Sequence, residues 1–124
     1  MTPMETVRAF LAHMEAKTFS EAIGLIDPEC EYTNIPMGMV RGPKEILAQL
    51  EPFFASIEEN EFIILRSAAD GQVVCVERLD RHRSARGWWE FPVTGIFEVH
   101  EGLITVWREY FDLATARRGM SGAG

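Results

Sequence analysis

Two charged side chains of opposite sign leave an apolar stretch of the sequence together. Arg78 and Asp80 lie two residues apart at the end of the run IILRSAADGQVVCVERLD. In a β-strand, residues i and i+2 point to the same face, so a strand here would carry both charges on the side of Val74 and Val76. A guanidinium that holds a carboxylate on such a face is suited to acid/base chemistry, because its fork of donors fixes the position of the carboxylate.

A second carboxylate falls on an apolar face of a later strand. In the stretch WREYFDL, Trp107, Glu109 and Phe111 alternate along the chain and therefore share one face. Buried charges persist only where they satisfy one another. The guanidinium of Arg78 could bridge Asp80 and Glu109. One of these two carboxyl groups could then stay protonated and act as an acid, while the other is ionised and acts as a base.

A third polar pair, Tyr32 and Asn34, points to one face of the strand predicted in ECEYTNI. Each of these signals also fits an ordinary structural role. The Arg-x-Asp spacing alone is typical of a surface ion pair, and Glu109 beside Arg108 fits a solvated strand edge. Tyr32 also fits a core aromatic residue whose hydroxyl reaches water, and Asn34 fits a turn residue before Pro36.

The first half of the chain carries helix signals. TPME combines an N-cap Thr2, a proline at the first helical position and Glu5, which predicts a capping box and an amphipathic helix behind it. TFSE predicts a short second helix that ends near Ile26. ECEYTNI follows as a strand, PMGMVRG as a loop, and Pro43 opens a third helix with an apolar stripe.

The second half carries strand signals. EFIILRSAA and QVVCVERLDRH flank Asp70-Gly71, a hairpin turn, and GWWEFPVTGIFEVH and LITVWREYFDL follow as two more strands. Helices followed by a four-strand antiparallel meander predict an α+β fold: a curved, mostly antiparallel sheet that forms a cone closed by the N-terminal helices, with an interior pocket. Pro92 and Gly95 could mark a bend or bulge in the curved sheet. The alternative is an open two-layer sandwich without a cavity.

Length and composition favour a single domain over residues 1–115, followed by a flexible C-terminal tail over residues 116–124. The net charge of −7 and the pI of about 4.9 argue against nucleic acid and anionic membranes as partners. No apolar run is long enough to span a bilayer, and the N-terminus has no signal-peptide pattern, so we expect a cytoplasmic protein. His13, His82 and His100 lack metal-ligand spacing, and no glycine-rich phosphate loop occurs, so we expect neither metal nor cofactor.

Together, the motifs YTN, ERLD and WREYFDL resemble those of the limonene-1,2-epoxide hydrolase family, in the same order and at compatible spacing. The resemblance implies the nuclear-transport-factor-like fold, which ketosteroid isomerases share, and the one-step hydrolysis of an epoxide by water. It also implies that Asp80 is the acid, that Arg78 bridges the carboxylates, and that Tyr32 and Asn34 hold the attacking water. The base falls on Glu109, where the family pattern has aspartate.

The resemblance further implies a small hydrophobic, terpene-like epoxide as substrate, water as co-substrate, and a homodimer. His82 shares the face of Asp80, and we expect it at the rim of the pocket. Two alternatives stay open: an isomerase, dehydratase or cyclase of a polyketide- or steroid-like substrate on the same fold, and a non-catalytic small-molecule binding module. The residues expected to contact the substrate are all apolar: Leu11, Met14, Ile57, Phe62, Phe91, Val93 and Phe111.

Overall fold

Helices and strands follow one another largely in the predicted order. The computed structural model describes residues 1–122. Its helices are α1 (Pro3–Glu15), α2 (Phe19–Ile23), α3 (Gly42–Phe54) and α4 (Leu113–Gly122). Its strands are β1 (Ile26–Asn34), β2 (Gly38–Arg41), β3 (Glu59–Asp70), β4 (Val73–Ser84), β5 (Gly87–His100) and β6 (Leu103–Tyr110).

Helix α1 begins with the predicted capping box. The hydroxyl of Thr2 accepts a hydrogen bond from the backbone N–H of Glu5 at 3.1 Å, and the Glu5 carboxylate accepts one from the backbone N–H of Thr2 at 2.8 Å. One face of the helix is apolar at helical spacing and lies in the hydrophobic core. Its fully or nearly buried members are Val7, Phe10, Leu11 and Met14.

The six strands form one sheet in the order β2-β1-β6-β5-β4-β3. All neighbours are antiparallel except β1 and β6, which are parallel. The parallel pairing places Tyr32 opposite Trp107 and Asn34 opposite Glu109. The fold is therefore α+β, with a mostly antiparallel sheet and N-terminal helices, as predicted. No helix within residues 1–122 is long and apolar enough to cross a membrane.

Two elements were not predicted. Strand β2 lies within the expected loop PMGMVRG and pairs with β1. Helix α4 occupies most of the stretch expected to be a flexible tail over residues 116–124: residues 113–122 are helical, Ala116 is buried, and a side chain on Gly119 would collide with Trp89. The end of the expected tail, residues 123 and 124, lies outside the described residues. The predicted strand ECEYTNI begins earlier than expected, at Ile26, because α2 ends at Ile23.

Pro92 and Gly95 do not mark bulges. They pair with Leu79 and Val76 of β4 without a shift in register. The irregularities of the sheet lie elsewhere, between Glu98 and Val99, between Ile64 and Arg66, and between Ile26 and Glu31. The proline fits a regular strand because β5 pairs with β6 only from Thr94 onward, so the missing N–H of Pro92 removes no bond to β6.

Candidate active site

A buried arginine bridges two carboxylates at the centre of the sheet. Nε and Nη2 of Arg78 donate to the two carboxylate oxygens of Asp80, each at 2.9 Å. Nη2 and Nη1 donate to Oε1 and Oε2 of Glu109 at 2.8 and 3.2 Å. Arg78 and Asp80 come from one face of β4 and Glu109 from β6, so strand parity brings the three side chains together as predicted. Each carboxylate is held by two bonds, which fixes its position and its plane.

The three charged side chains of this cluster are buried, which makes their ionisation costly. The exposed fractions of Arg78, Asp80 and Glu109 are 2%, 6% and 7%. Burial opposes the positive charge of Arg78, but Glu109 and Asp80 outweigh it and raise the pKa of the guanidinium. Two carboxylates face one cation, so full ionisation would leave a net negative charge out of water, and the cluster favours holding one shared proton.

Glu109 is a stronger base than an exposed glutamate. Its burial raises the pKa of the carboxyl group, Arg78 lowers it again, and the nearby Asp80 raises it further. The indole N–H of Trp107 makes no hydrogen bond within residues 1–122. A raised pKa means that ionised Glu109 takes up a proton readily.

Tyr32 and Asn34 lie beside Glu109 because β1 runs parallel to β6. The Tyr32 hydroxyl donates to Oδ1 of Asn34 at 3.0 Å, and the Tyr32 ring stacks on Trp107 with 3.9 Å between centroids. Burial, reinforced by Glu109, raises the pKa of the phenol, so Tyr32 stays protonated. Within residues 1–122, the only side-chain hydrogen bond of Asn34 uses Oδ1, so the N–H groups of its amide can donate to a small molecule.

These side chains face a cavity of about 240 Å³. Six of the seven residues expected to contact the substrate line it, and the catalytic candidates line it as well. Ile57 is a correction: it lies in the connection between α3 and β3 and packs into the hydrophobic core instead, at 3% exposure. The six residues placed at the cavity are Leu11, Met14, Phe62, Phe91, Val93 and Phe111. A cavity between the sheet and the helices fits the predicted cone rather than the open sandwich.

Much of the cavity wall was missed. Helix α4 contributes Leu113, Ala116, Arg117 and Met120, which recur at the i, i+3, i+4, i+7 spacing of one helical face. That spacing was the available signal, but the glycines around it favoured a tail. Helix α3 contributes residues of its predicted apolar stripe and one amide, and the β1–β2 connection adds a methionine: Gln49, Leu50, Phe53, Phe54 and Met37.

His82 lies deep in the cavity wall and not at the rim, with an exposed fraction of 2%. Its position on β4 explains this, because it continues the inward face of Arg78 and Asp80. Burial lowers the pKa of His82 to about 4, so the ring is neutral near pH 7. Among residues 1–122, no three His, Cys, Asp or Glu side chains are grouped so as to hold a metal ion.

The overall shape recurs in known structures. An NTF2-like protein from Burkholderia pseudomallei superposes with a TM-score of 0.85 at 16% identity, covering 98% of each chain, which shows the fold alone. The molecule is therefore an NTF2-like α+β domain, and its distinguishing feature is a buried carboxylate–guanidinium–carboxylate centre that faces an apolar cavity.

The family follows from closer relatives. The limonene-1,2-epoxide hydrolase catalytic domain matches residues 1–121. Epoxide hydrolase EphG of Mycobacterium tuberculosis (strain ATCC 25618 / H37Rv) is 31% identical over 114 residues, which cover 92% of this chain and 76% of EphG. The structure of a Mycobacterium tuberculosis LEH-like epoxide hydrolase has a TM-score of 0.84 at 29% identity, covering 98% of this chain and 90% of that one. The chain belongs to the limonene-1,2-epoxide hydrolase family and is an epoxide hydrolase of that type.

Proposed function

We propose that this epoxide hydrolase converts a hydrophobic, terpene-like epoxide to a vicinal diol in one step, by general acid/base-catalysed attack of water. The observation that carries the proposal is the four-bonded bridge from Arg78 to Asp80 and Glu109, in a cavity lined mostly by carbon. Ring opening needs a proton at the epoxide oxygen and an activated water at the carbon. The bridged pair supplies both from fixed positions.

In the proposed step, Asp80 donates its proton to the epoxide oxygen as the carbon–oxygen bond breaks. The water oxygen forms its bond to the same carbon from the opposite side, and Glu109 takes up the proton that the water loses. The diol leaves with Asp80 ionised and Glu109 protonated. Transfer of one proton from Glu109 back to Asp80 restores the starting form, and Arg78 stays charged throughout.

Tyr32 and Asn34 are proposed to hold the attacking water beside Glu109. The water would accept a hydrogen bond from the Asn34 amide and donate one to the Tyr32 oxygen, whose own proton is bonded to Asn34. Its remaining hydrogen would then point to Glu109. Holding the water in one orientation removes an entropic cost that an unpositioned water would have to meet in the transition state.

Glutamate at position 109 departs from the aspartate of the family pattern, and the cluster accommodates it. Both of its carboxylate oxygens reach Arg78, so the longer side chain is still bound at two points. We infer that Glu109 acts as the base in the same way as the shorter residue. The variant Glu109→Asp should then be less active, because its carboxylate would withdraw from Arg78 by about one carbon–carbon bond, roughly 1.5 Å.

The test is diol formation from limonene oxide, cyclohexene oxide and styrene oxide by the wild type, Asp80→Asn and Glu109→Gln. Each variant should lose at least about 10²-fold in kcat, the low end of an acid/base contribution. Glu77→Gln is the matched control, since Glu77 neighbours Arg78 in sequence but pairs with Arg66 outside the cavity. Turnover by Asp80→Asn at the wild-type rate would refute the assignment of the acid.

A homodimer and a cytoplasmic location remain parts of this proposal. Ile63 and Leu65 of β3 are exposed to 40% and 55%, and such apolar surface would suit contact with a second copy. Light scattering coupled to size-exclusion chromatography would distinguish a monomer of 14.1 kDa from a dimer of twice that mass. A mass that stays at the monomer value across micromolar concentrations would contradict the dimer.

A further inference from the structure

His82 is a polar group in the cavity that the proposed reaction does not use. It is among the most buried side chains of the protein, and the rings of five aromatic residues surround it at centroid distances from 4.7 to 6.1 Å. Leucine or phenylalanine would fit such surroundings without a polar atom to desolvate. The five rings belong to Phe53, Phe54, Phe62, Trp89 and Phe91.

Asn60 fixes which nitrogen of His82 carries the proton. The amide Nδ2 of Asn60 donates to the backbone carbonyl of Glu15 at 3.3 Å, so its Oδ1 faces the imidazole. That oxygen can only accept, and it lies 2.7 Å from Nδ1 of His82. Nδ1 therefore carries the proton and Nε2 carries a lone pair. Asn60 is itself 5% exposed, so the arrangement is held inside the protein.

The lone pair of Nε2 has no hydrogen-bond partner within the described part of the chain. Within residues 1–122, His82 makes one side-chain hydrogen bond, the one through Nδ1, and His82 contributes to the cavity wall. Nε2 is not among the fully enclosed unpartnered atoms of the described residues, which fits its place at the cavity wall. A molecule that fills the cavity would displace water from this nitrogen, so a group with a hydrogen to donate is expected there. Because the ring stays neutral, Nε2 can accept but cannot donate.

We propose that Nε2 of His82 accepts a hydrogen bond from a hydroxyl group of the substrate, so that the preferred epoxide carries a hydroxyl on its carbon skeleton away from the epoxide ring. This rests on the proposed function of the same cavity. His82 follows Asp80 by two residues on the same face of β4, a separation of about 6.6 Å along the strand. The hydroxyl and the epoxide oxygen should therefore lie several ångströms apart, about the span of a six-membered ring together with one exocyclic CH2 group.

Two epoxides that differ by one group test this inference. 4-(Hydroxymethyl)cyclohexene oxide and 4-ethylcyclohexene oxide have nearly the same shape, and only the first carries a hydroxyl. The quantity to measure is the ratio of their kcat/KM values in the wild type, His82→Leu and His82→Gln. Any change of cavity shape acts on both substrates and cancels in the ratio, whereas loss of the acceptor acts on the alcohol alone.

The ratio of alcohol to ethyl compound should fall about tenfold in His82→Leu, which corresponds to one neutral hydrogen bond. His82→Gln, whose amide can present an oxygen near the position of Nε2, should keep most of the wild-type ratio. If His82→Leu does not fold, His82→Asn replaces it. Asparagine can still donate to Asn60 but has no acceptor at the position of Nε2, so its ratio should also fall.

A ratio within threefold of the wild type in His82→Leu or His82→Asn would overturn the inference, since a bound water would then suffice for Nε2. A binding measurement separates this failure from failure of the hydrolysis. Cyclohexylmethanol and ethylcyclohexane cannot react, and their dissociation constants can be read from tryptophan fluorescence. If the wild type turns over neither epoxide but binds the alcohol more tightly through His82, the hydrolysis proposal fails and the His82 site stands. Equal loss of both ligands in His82→Leu would overturn the site.

Discussion

Gly95 gives the sharpest prediction, because Arg78 and Glu109 of the proposed catalytic cluster occupy the space where its side chain would be. Gly95 lies on β5 opposite Glu109 of β6. A Cβ atom at this position would lie 2.8 Å from Arg78 Nη1, from Glu109 Oε2 and from the Phe97 ring. Ordinary contact begins at 3.4 Å, so Gly95→Ala must displace each group by about 0.6 Å. A displacement of about 1 Å at a catalytic group can cost about 10²-fold in rate, so we expect kcat/KM to fall by roughly 10- to 100-fold.

Stability should change less than activity in Gly95→Ala. Overpacking costs about 1–3 kcal/mol, and the better strand-forming backbone of alanine offsets about 0.5–1 kcal/mol. The assay is steady-state hydrolysis of cyclohexene oxide, with the free energy of unfolding measured in urea. Repeating Gly95→Ala in the Glu109→Asp background gives a double-mutant cycle, and its cost there should be smaller because the shorter carboxylate withdraws from the added methyl group. Activity of Gly95→Ala within threefold of the wild type would refute the reasoning.

Three further predictions concern charge. Because burial raises the pKa of Glu109, the acid limb of the kcat profile should have its midpoint above 4.5, the ordinary value, and activity should rise with pH through it. Because the pKa of His82 is lowered from 6.5 to about 4, the folded state binds fewer protons than the unfolded chain in this range. Stability that is fully present above pH 6.5 should therefore be lost as pH falls towards 4, by about 3 kcal/mol, and His82→Leu should lack this loss. Arg78→Met should cost about 3–5 kcal/mol in urea unfolding, because it leaves two buried carboxylates without their cation.

Each of these three predictions has its own control or contradicting outcome. An acid limb at or below 4.5 would contradict the raised pKa of Glu109. For His82, the free energies of unfolding of the wild type and His82→Leu must be compared over the same pH range, because the raised pKa of Glu109 increases stability as pH falls. If the two stability curves run parallel, His82 does not cause the loss of stability at low pH. For Arg78→Met the control is Arg66→Met. The Arg66 side chain is 83% exposed and pairs with Glu77, so its replacement should cost much less stability than Arg78→Met.

The cluster of Arg78, Asp80 and Glu109 could be predicted from the sequence because alternation along a strand is a local rule. Arg78 and Asp80 follow that rule on β4, and Glu109 follows it on β6, so their faces were correct before any pairing was known. The parallel pairing that brings Tyr32 beside Trp107 joins residues far apart in the chain and was not predicted. Only the family resemblance implied that Tyr32 and Asn34 act together with Glu109. An antiparallel hairpin can be predicted from the sequence of its turn, whereas the pairing of two parallel strands has no local sequence signal.

The errors have a common physical origin. Strand β2 has four residues, including Gly38, and exists through its pairing with β1. Helix α4 contains the weak helix formers Gly119, Ser121 and Gly122, but its apolar face packs on β5 beside Trp89, and tertiary contact overrides their low propensity. His82 was expected at the rim, yet the inward face of β4 continues into the cavity wall. In each case, contacts between residues distant in the sequence determine the structure, and the local sequence does not indicate them.

The most direct test of the central claim is a single turnover in ¹⁸O-labelled water, with enzyme in excess over limonene oxide. Water that attacks the epoxide directly leaves its own oxygen in the diol, so the diol of the first turnover should carry one ¹⁸O atom, and Asp80→Asn should form almost none. A first-turnover diol that contains only ¹⁶O, with label in an enzyme carboxylate, would show that a side chain attacked the epoxide. That result would contradict one-step hydrolysis by water.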